Sequence, residues 1–304
     1  MKIIAAGVTG FIGTALLRGL VKENHDVTVL TRNPDATRRV IGSGVTVEEW
    51  DAQSVGAWAH RVEGADAIIN LTGEPIAAKR WSTAQKNRIR ESRVNSTRAI
   101  VEAIRQCSRK PSVLINASAV GYYGAVAEGD VVESKEAGKG FLAETCGIWE
   151  QEARTAEALG VRVVLPRTGV VIGESGGALA KMVPPFTFFV GGPIGNGRQW
   201  FPWIHRDDVV GAIIFALGQP GVRGPMNLAA PESATMKEFC TELGNALHRP
   251  SWAPVPGFVL RLALGEMADM LLTGQRAVPQ QLLKSGYKFK FPTLGPALAD
   301  IFRR

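Results

Sequence analysis

Three glycines spaced three apart, Gly7, Gly10 and Gly13, separate a short apolar run, Lys2–Ala6, from a helix-periodic run, Thr14–Lys22. No other feature of the chain restricts its fold as much. Gly7 permits a tight turn, Gly10 lets backbone approach a diphosphate, and Gly13 lets the helix pack close on the strand. The helix N-terminus then offers free N–H groups and a positive dipole end to an anion. Thr9, Phe11 and Ile12 complete this loop and belong to the same expected cofactor site. A glycine triplet alone says little, but at the first strand–helix turn of an alternating chain it points to a dinucleotide.

The alternation continues. Val27–Leu30, Ala67–Leu71, Val113–Ala117 and Val161–Leu165 read as further apolar strands, and Ser82–Cys107 and Leu142–Leu159 as helices. Short apolar strands alternating with helices predict a parallel sheet covered on both faces. A helix is expected at Asp207–Leu217 with Asp207 as its N-cap. The expected division is a nucleotide-binding domain at 1–245, with a lid-like Gly/Pro/aromatic insertion at about 173–204, and a small helical domain at 246–304.

The second strand ends at Leu30-Thr31-Arg32. An NAD site usually carries an acidic residue here for the ribose 2′-OH, whereas an arginine suits a 2′-phosphate. Thr31 and Arg32, with Arg38 and Arg39 behind, therefore point to NADP.

Composition narrows the class. Of 304 residues, 45% are hydrophobic and 21% charged, which excludes a disordered, collagen-like or coiled-coil chain. Cys107, Cys146 and Cys240 are too few and scattered for a disulfide framework, and no clustered His, Cys or carboxylate groups suggest a metal. With no signal-like start and no apolar run of membrane-spanning length, the expectation is a cytoplasmic protein without a membrane partner. The net charge of +7 is concentrated: Lys79 to Lys110 holds ten basic and two acidic residues. No nucleic-acid motif accompanies this segment, so no nucleic-acid partner is expected.

Further segments carry a resemblance. Asn70-Leu71-Thr72-Gly73-Glu74, Arg80-Trp81, Ser92-Arg93, Ser118-Ala119-Val120-Gly121-Tyr122-Tyr123-Gly124, Gly191–Gly195, Phe201–His205 and the tail from Leu264 to Tyr287 join the glycine motif. Together they resemble the extended short-chain dehydrogenase/reductase superfamily. Within it they resemble the epimerase-like branch, the NAD-dependent epimerase/dehydratase family, with a small C-terminal domain of undefined role. The resemblance implies a doubly wound α/β Rossmann fold with a smaller substrate-side lobe. It implies that Leu71, Thr72 and Gly73 line the adenosine side, that Arg93 and Arg88 contact cofactor phosphate, and that Val171 sits near the nicotinamide. It makes His205 structural, and it suggests a homodimer through Ser82–Cys107 and Leu142–Leu159.

The superfamily uses a serine, a tyrosine, and a lysine four residues after the tyrosine. Ser118 holds the serine position, but alignment puts Cys146 in the tyrosine slot and Glu150 in the lysine slot. A carboxylate raises the pKa of a neighbouring thiol instead of lowering it. Tyr122 or Tyr123 could replace the missing acid, as could Cys146 itself. Two functions follow as expectations: an NADP-dependent, epimerase-like oxidoreductase of an unidentified small molecule, or a catalytically silent NADP-binding redox sensor or regulator.

Overall fold

The computed structural model describes residues 1–41, 44–174 and 176–303. Ser175, inside the expected insertion, lies outside the described residues. Seven strands in chain order are β1 (Lys2–Ala6), β2 (Asp26–Thr31), β3 (Thr46–Glu49), β4 (Ala67–Asn70), β5 (Val113–Asn116), β6 (Arg162–Thr168) and β7 (Gly224–Leu228). The helices used below are α1 (Phe11–Lys22), α2 (Pro34–Ile41), α3 (Thr83–Gln106), α4 (Phe141–Arg154), α5 (Leu179–Thr187), α6 (Arg206–Gly218), α7 (Met236–Leu247) and α8 (Gly257–Leu264).

Among the described residues the strands form one parallel sheet in the order β7-β6-β5-β4-β1-β2-β3, with Ser118–Ala119 as an eighth strand beside β6. The alternation of side chains across a strand decides which face each residue serves. Ile3 and Ala5 of β1 join one core with Leu16, Leu20, Val209 and Ile213 from α1 and α6. Ile4 and Ala6 join the opposite core with Ile100 and Ile104 of α3 and Ala153 of α4. The order reverses between β4 and β1, and in an open α/β sheet the crevice at such a reversal is where ligands bind.

A third core builds the smaller lobe. Phe186, Phe201 and Trp203 of the aromatic segment pack with Met236 and Phe239 of α7 and with Leu294 and Leu298 near the C-terminus. The tail is also stitched to the sheet side, since Arg276–Ala277 pairs in parallel with Asp130–Val131. The buried Asp208 carboxylate accepts from the backbone N–H groups of Lys290 (2.6 Å) and Phe291 (2.9 Å).

The expected N-cap at Asp207 is corrected. Helix α6 starts at Arg206 with His205 as N-cap, whose Nδ1 accepts from the Asp207 backbone N–H at 3.2 Å. The Asp207 carboxylate instead holds Lys290 Nζ at 2.7 Å.

Candidate active site

A groove of about 680 Å³ opens at the carboxyl ends of β1, β2 and β4. Its floor is the glycine turn. Gly7 has a φ of +76°, and a Cβ there would meet the Leu71 carbonyl carbon at 2.5 Å. A Cβ on Gly13 would fall 2.3 Å from Val8 Cα, so the absence of a side chain is what seats α1 against β1. Gly10 differs, because it lines the groove and a Cβ there would meet only Gly7 O, at 3.8 Å. Helix α1 begins at this point with no side-chain cap and no acidic residue in its first turn. The free N–H groups and the missing side chain together fit a diphosphate.

The rim is formed by Thr9, Thr31, Arg32, Leu71, Thr72, Gly73 and Arg88, all of which line the groove. Arg32 is exposed at the end of β2. Arg38, behind it, is paired with Asp35 at 3.0 Å. Thr72 is fixed from below: its Oγ1 donates to Asn70 Oδ1 (2.5 Å) and lies 2.7 Å from Ser96 Oγ. Asn70 in turn donates to Asn116 Oδ1 (2.7 Å) and Thr97 Oγ1 (3.2 Å), and Trp149 Nε1 donates to that same Thr97 hydroxyl. This buried network ties β4, β5, α3 and α4 together under the groove, and satisfied buried networks are rigid.

Five predicted residues lie away from the groove lining, Gly13 in the helix–strand seam among them. The Phe11 ring supports the turn after residue 172, where a Cβ on Gly176 would meet it at 2.5 Å, and Arg206 stacks over it. Ile12 packs against the sheet core. Val171 is buried and pairs with Ile204. Arg93 lies beneath the rim: its Nη1 donates to the carbonyls of Glu74 (3.0 Å) and Ile89 (2.9 Å), and its guanidinium sits 5.2 Å from the Trp149 ring. The groove also takes in Trp50, Asp51, Ala52 and Gln53, which sequence reading missed. They follow the unrecognised strand β3. A signal was present: Asp51 is followed three residues on by Ser54, a turn pattern, and the Asp51 carboxylate accepts from Gln53 N, Ser54 N and Ser54 Oγ.

Beyond β4, Ser118, Tyr122, Tyr123, Glu150 and Arg167 form a buried cluster. Ser118 Oγ donates to Glu150 Oε1 at 2.7 Å. Glu150 also takes a two-pronged ion pair from Arg167, Nε to Oε1 and Nη2 to Oε2, each 2.8 Å. Both charged side chains are about fully buried, at 3% and 2% exposure. Burial disfavours the Arg167 charge, but the Glu150 carboxylate outweighs it and raises the guanidinium pKa. Arg167 Nη1 donates to Tyr123 Oη (2.9 Å), and Tyr123 donates to Asn227 Oδ1 (2.7 Å). Burial pushes the Tyr123 phenol up to about 12. Tyr122 is stacked under Arg167, whose guanidinium carbon is 3.5 Å from the ring centroid.

Cys146 lies one turn before Glu150 on the same face of α4 and is buried. Burial raises its thiol to about 11, Glu150 adds to the rise, and Arg93 partly opposes it. The thiol is therefore protonated at neutral pH and is a weak nucleophile.

The strand reversal, the glycine cradle and a free helix N-terminus in one groove define an α/β protein of the dinucleotide-binding fold. Comparison with known proteins narrows this. Residues 3–229 match the model of the NAD dependent epimerase/dehydratase family, and residues 255–301 match a domain of unknown function, DUF1731. The chain belongs to the NAD dependent epimerase/dehydratase family. It is 41% identical over 309 aligned residues to the epimerase family protein SDR39U1 homolog, chloroplastic, of Arabidopsis thaliana, covering 100% of this chain and 87% of that protein. It is 39% identical over 302 residues to the epimerase family protein YfhF of Bacillus subtilis, covering 99% of this chain and 98% of the other. The crystal structure of human epimerase family protein SDR39U1 (isoform 2) with NADPH superposes with a TM-score of 0.89 at 35% identity, covering 100% of this chain and 99% of that one.

Proposed function

We propose that the chain binds NADP(H) in the groove and acts as an epimerase-like oxidoreductase on an unidentified small molecule. The observation that carries the cofactor reading is Arg32 at the groove rim, where an NAD site has an acid, above a glycine cradle open to a diphosphate. The NADPH in the human relative supports the same choice. When bound, the nicotinamide supplies or accepts a hydride, and the chain's own groups hold the substrate and handle the proton.

Ser118 is the group assigned to the substrate oxygen. Its hydroxyl proton is directed at Glu150, so its lone pairs remain for a donor group on the ligand. Tyr123 is a poor proton donor, because its hydroxyl is used on both sides by Arg167 and Asn227. Tyr122 and the Cys146 thiol remain as candidate acids.

Two experiments test the reading. Arg32→Ala should weaken NADPH binding by about ten- to a hundredfold and leave NADH unaffected, as expected for losing a charged hydrogen bond of roughly 1.5–3 kcal/mol. Titration of both nucleotides by intrinsic fluorescence checks it; equal loss for NADH would remove Arg32 from the 2′-phosphate. Ser118→Ala should lower NADP-dependent oxidation of a responsive alcohol by about a hundredfold or more without weakening NADP binding. Unchanged turnover would remove Ser118 from the chemistry.

A second reading is favoured by the way these side chains spend their polar atoms inside the protein: Ser118 on Glu150, Glu150 on Arg167, and Tyr123 on Arg167 and Asn227. In it the chain binds NADP and is catalytically silent, serving as a regulator. It predicts no NADPH oxidation across a broad carbonyl panel, and a partner affinity that differs between NADP and NADPH.

A further inference from the structure

Seven of the twelve large apolar side chains exposed among the described residues lie in two joined segments. Phe188 is 77% exposed, and Phe189 and Val190 beside it are also exposed. Trp252 is 67% exposed, Phe258 73% and Leu262 80%. Helix α8 buries none of its residues although six of its eight are apolar. Phe258 and Leu262 lie one turn apart on the same face of it. The two segments are laced together: Trp252 Nε1 donates to Phe189 O (2.9 Å), Trp252 N donates to Gly191 O, and Val255 and Gly195 bond across the same seam. A water-soluble chain rarely leaves an apolar surface of this kind uncovered without a use for it.

Within the two segments themselves the charge has one sign, while Glu266 and Asp269 follow just beyond α8. Residues 176–205 and 243–265 contain no Asp or Glu, while Lys181, Arg198, Arg249 and Arg261 lie within them. Arg249 stacks on the exposed Phe189, 4.6 Å from its ring centroid, and Arg261 meets Asp269 of the neighbouring turn at 3.4 Å. A second copy docked by a two-fold axis would set these cationic segments against themselves. An anionic partner relieves that repulsion, and separately protruding aromatic and leucine side chains flanked by Lys and Arg are the pattern of an interfacial helix.

We propose that this surface docks on an anionic lipid bilayer. Phe188, Trp252, Phe258 and Leu262 enter the acyl boundary, and Lys181, Arg198, Arg249 and Arg261 meet the headgroups. Among the described residues no helix is long and apolar enough to cross a membrane. The expectation of no membrane partner rested on the lack of a span, and surface docking needs none.

Co-sedimentation of the full chain with phosphatidylcholine vesicles, with and without phosphatidylglycerol, tests this. The chain should pellet with the anionic vesicles alone, and less as salt rises. Phe258→Glu with Leu262→Glu should lower that affinity by at least about tenfold at an unchanged thermal midpoint, since both positions are solvent-exposed. Arg249→Gln with Arg261→Gln, a second variant that leaves the apolar tips intact, should weaken binding to anionic vesicles too. Absence of pelleting, pelleting indifferent to salt and to both variants, or a concentration-dependent dimer dispersed by the double Glu variant would each overturn the proposal.

Discussion

Arg167→Ala is expected to destabilise the fold by about 3–5 kcal/mol, because it leaves the Glu150 carboxylate buried with its charge unpaired. The guanidinium is both prongs of the ion pair, the donor to Tyr123 and the plate against Tyr122, so the loss falls on three side chains at once. Urea unfolding reads it as a drop in midpoint at constant slope. The companion experiment is the pair of changes Glu150→Leu and Arg167→Met. Replacing both charges by apolar groups of similar size is often neutral or stabilising, so the double variant should recover most of the loss. If Arg167→Ala costs less than about 1 kcal/mol, the pair is not as dry as its burial indicates.

The second large effect is at Gly13. An alanine Cβ there meets Val8 Cα at 2.3 Å and Gly7 O at 2.5 Å, both backbone atoms that no rotamer change can clear. Helix α1 must lift from β1, which carries the glycine turn with it. Forcing even one methyl into such a contact costs about 3 kcal/mol or more here, and it displaces the N–H groups that face the groove. Gly13→Ala should therefore lower the unfolding midpoint and abolish NADPH binding together. Wild-type stability with intact binding would show that the helix–strand seam is looser than the geometry states.

Much of this architecture was legible because it is written in periodicity. Ile3, Ala5, Ile4 and Ala6 serve opposite faces of one strand, and only a sheet covered on both sides accepts such a run. What was missed lacked that pattern. Strand β3, Thr46–Glu49, is an edge strand with two glutamates and no fully buried residue, and strand β7 opens with Gly224-Pro225, a pair that reads as a turn. Missing β3 hid Asp51 and its neighbours in the groove. The N-cap lies two residues before the expected Asp207 because His205, a weak capper on propensity, is held in place by the packing of Phe291 on its ring.

The site divides in the same way. The glycine spacing and Arg32 are local signals, and the groove residues they predict come together around one cavity. The partnership of Glu150 with Arg167 is not local. Seventeen residues and a change of element separate the two, and nothing in either segment announces the other. The Glu150 carboxylate, expected from the resemblance to sit where a lysine is usual, reads as a defect in the sequence, yet in the structure it is the counter-ion of Arg167 with Ser118 attached. The aromatic segment likewise splits by side chain: Phe186 and Trp203 are core, while Phe188 and Phe189 are surface.

The groove is expected to hold NADPH with its diphosphate over Gly10. Titration calorimetry of NADPH into the wild type and into Gly10→Val tests it most directly. Gly10 has a φ of −86° and an added Cβ would meet only Gly7 O, at 3.8 Å, so valine should lower the thermal midpoint only by the modest loss of an N-cap glycine while filling the space the diphosphate needs. The predicted result is saturable binding by the wild type and a loss of at least about a hundredfold, or roughly 2.7 kcal/mol, in the variant. No heat of NADPH binding in the wild type, or equal affinity in Gly10→Val, would contradict it.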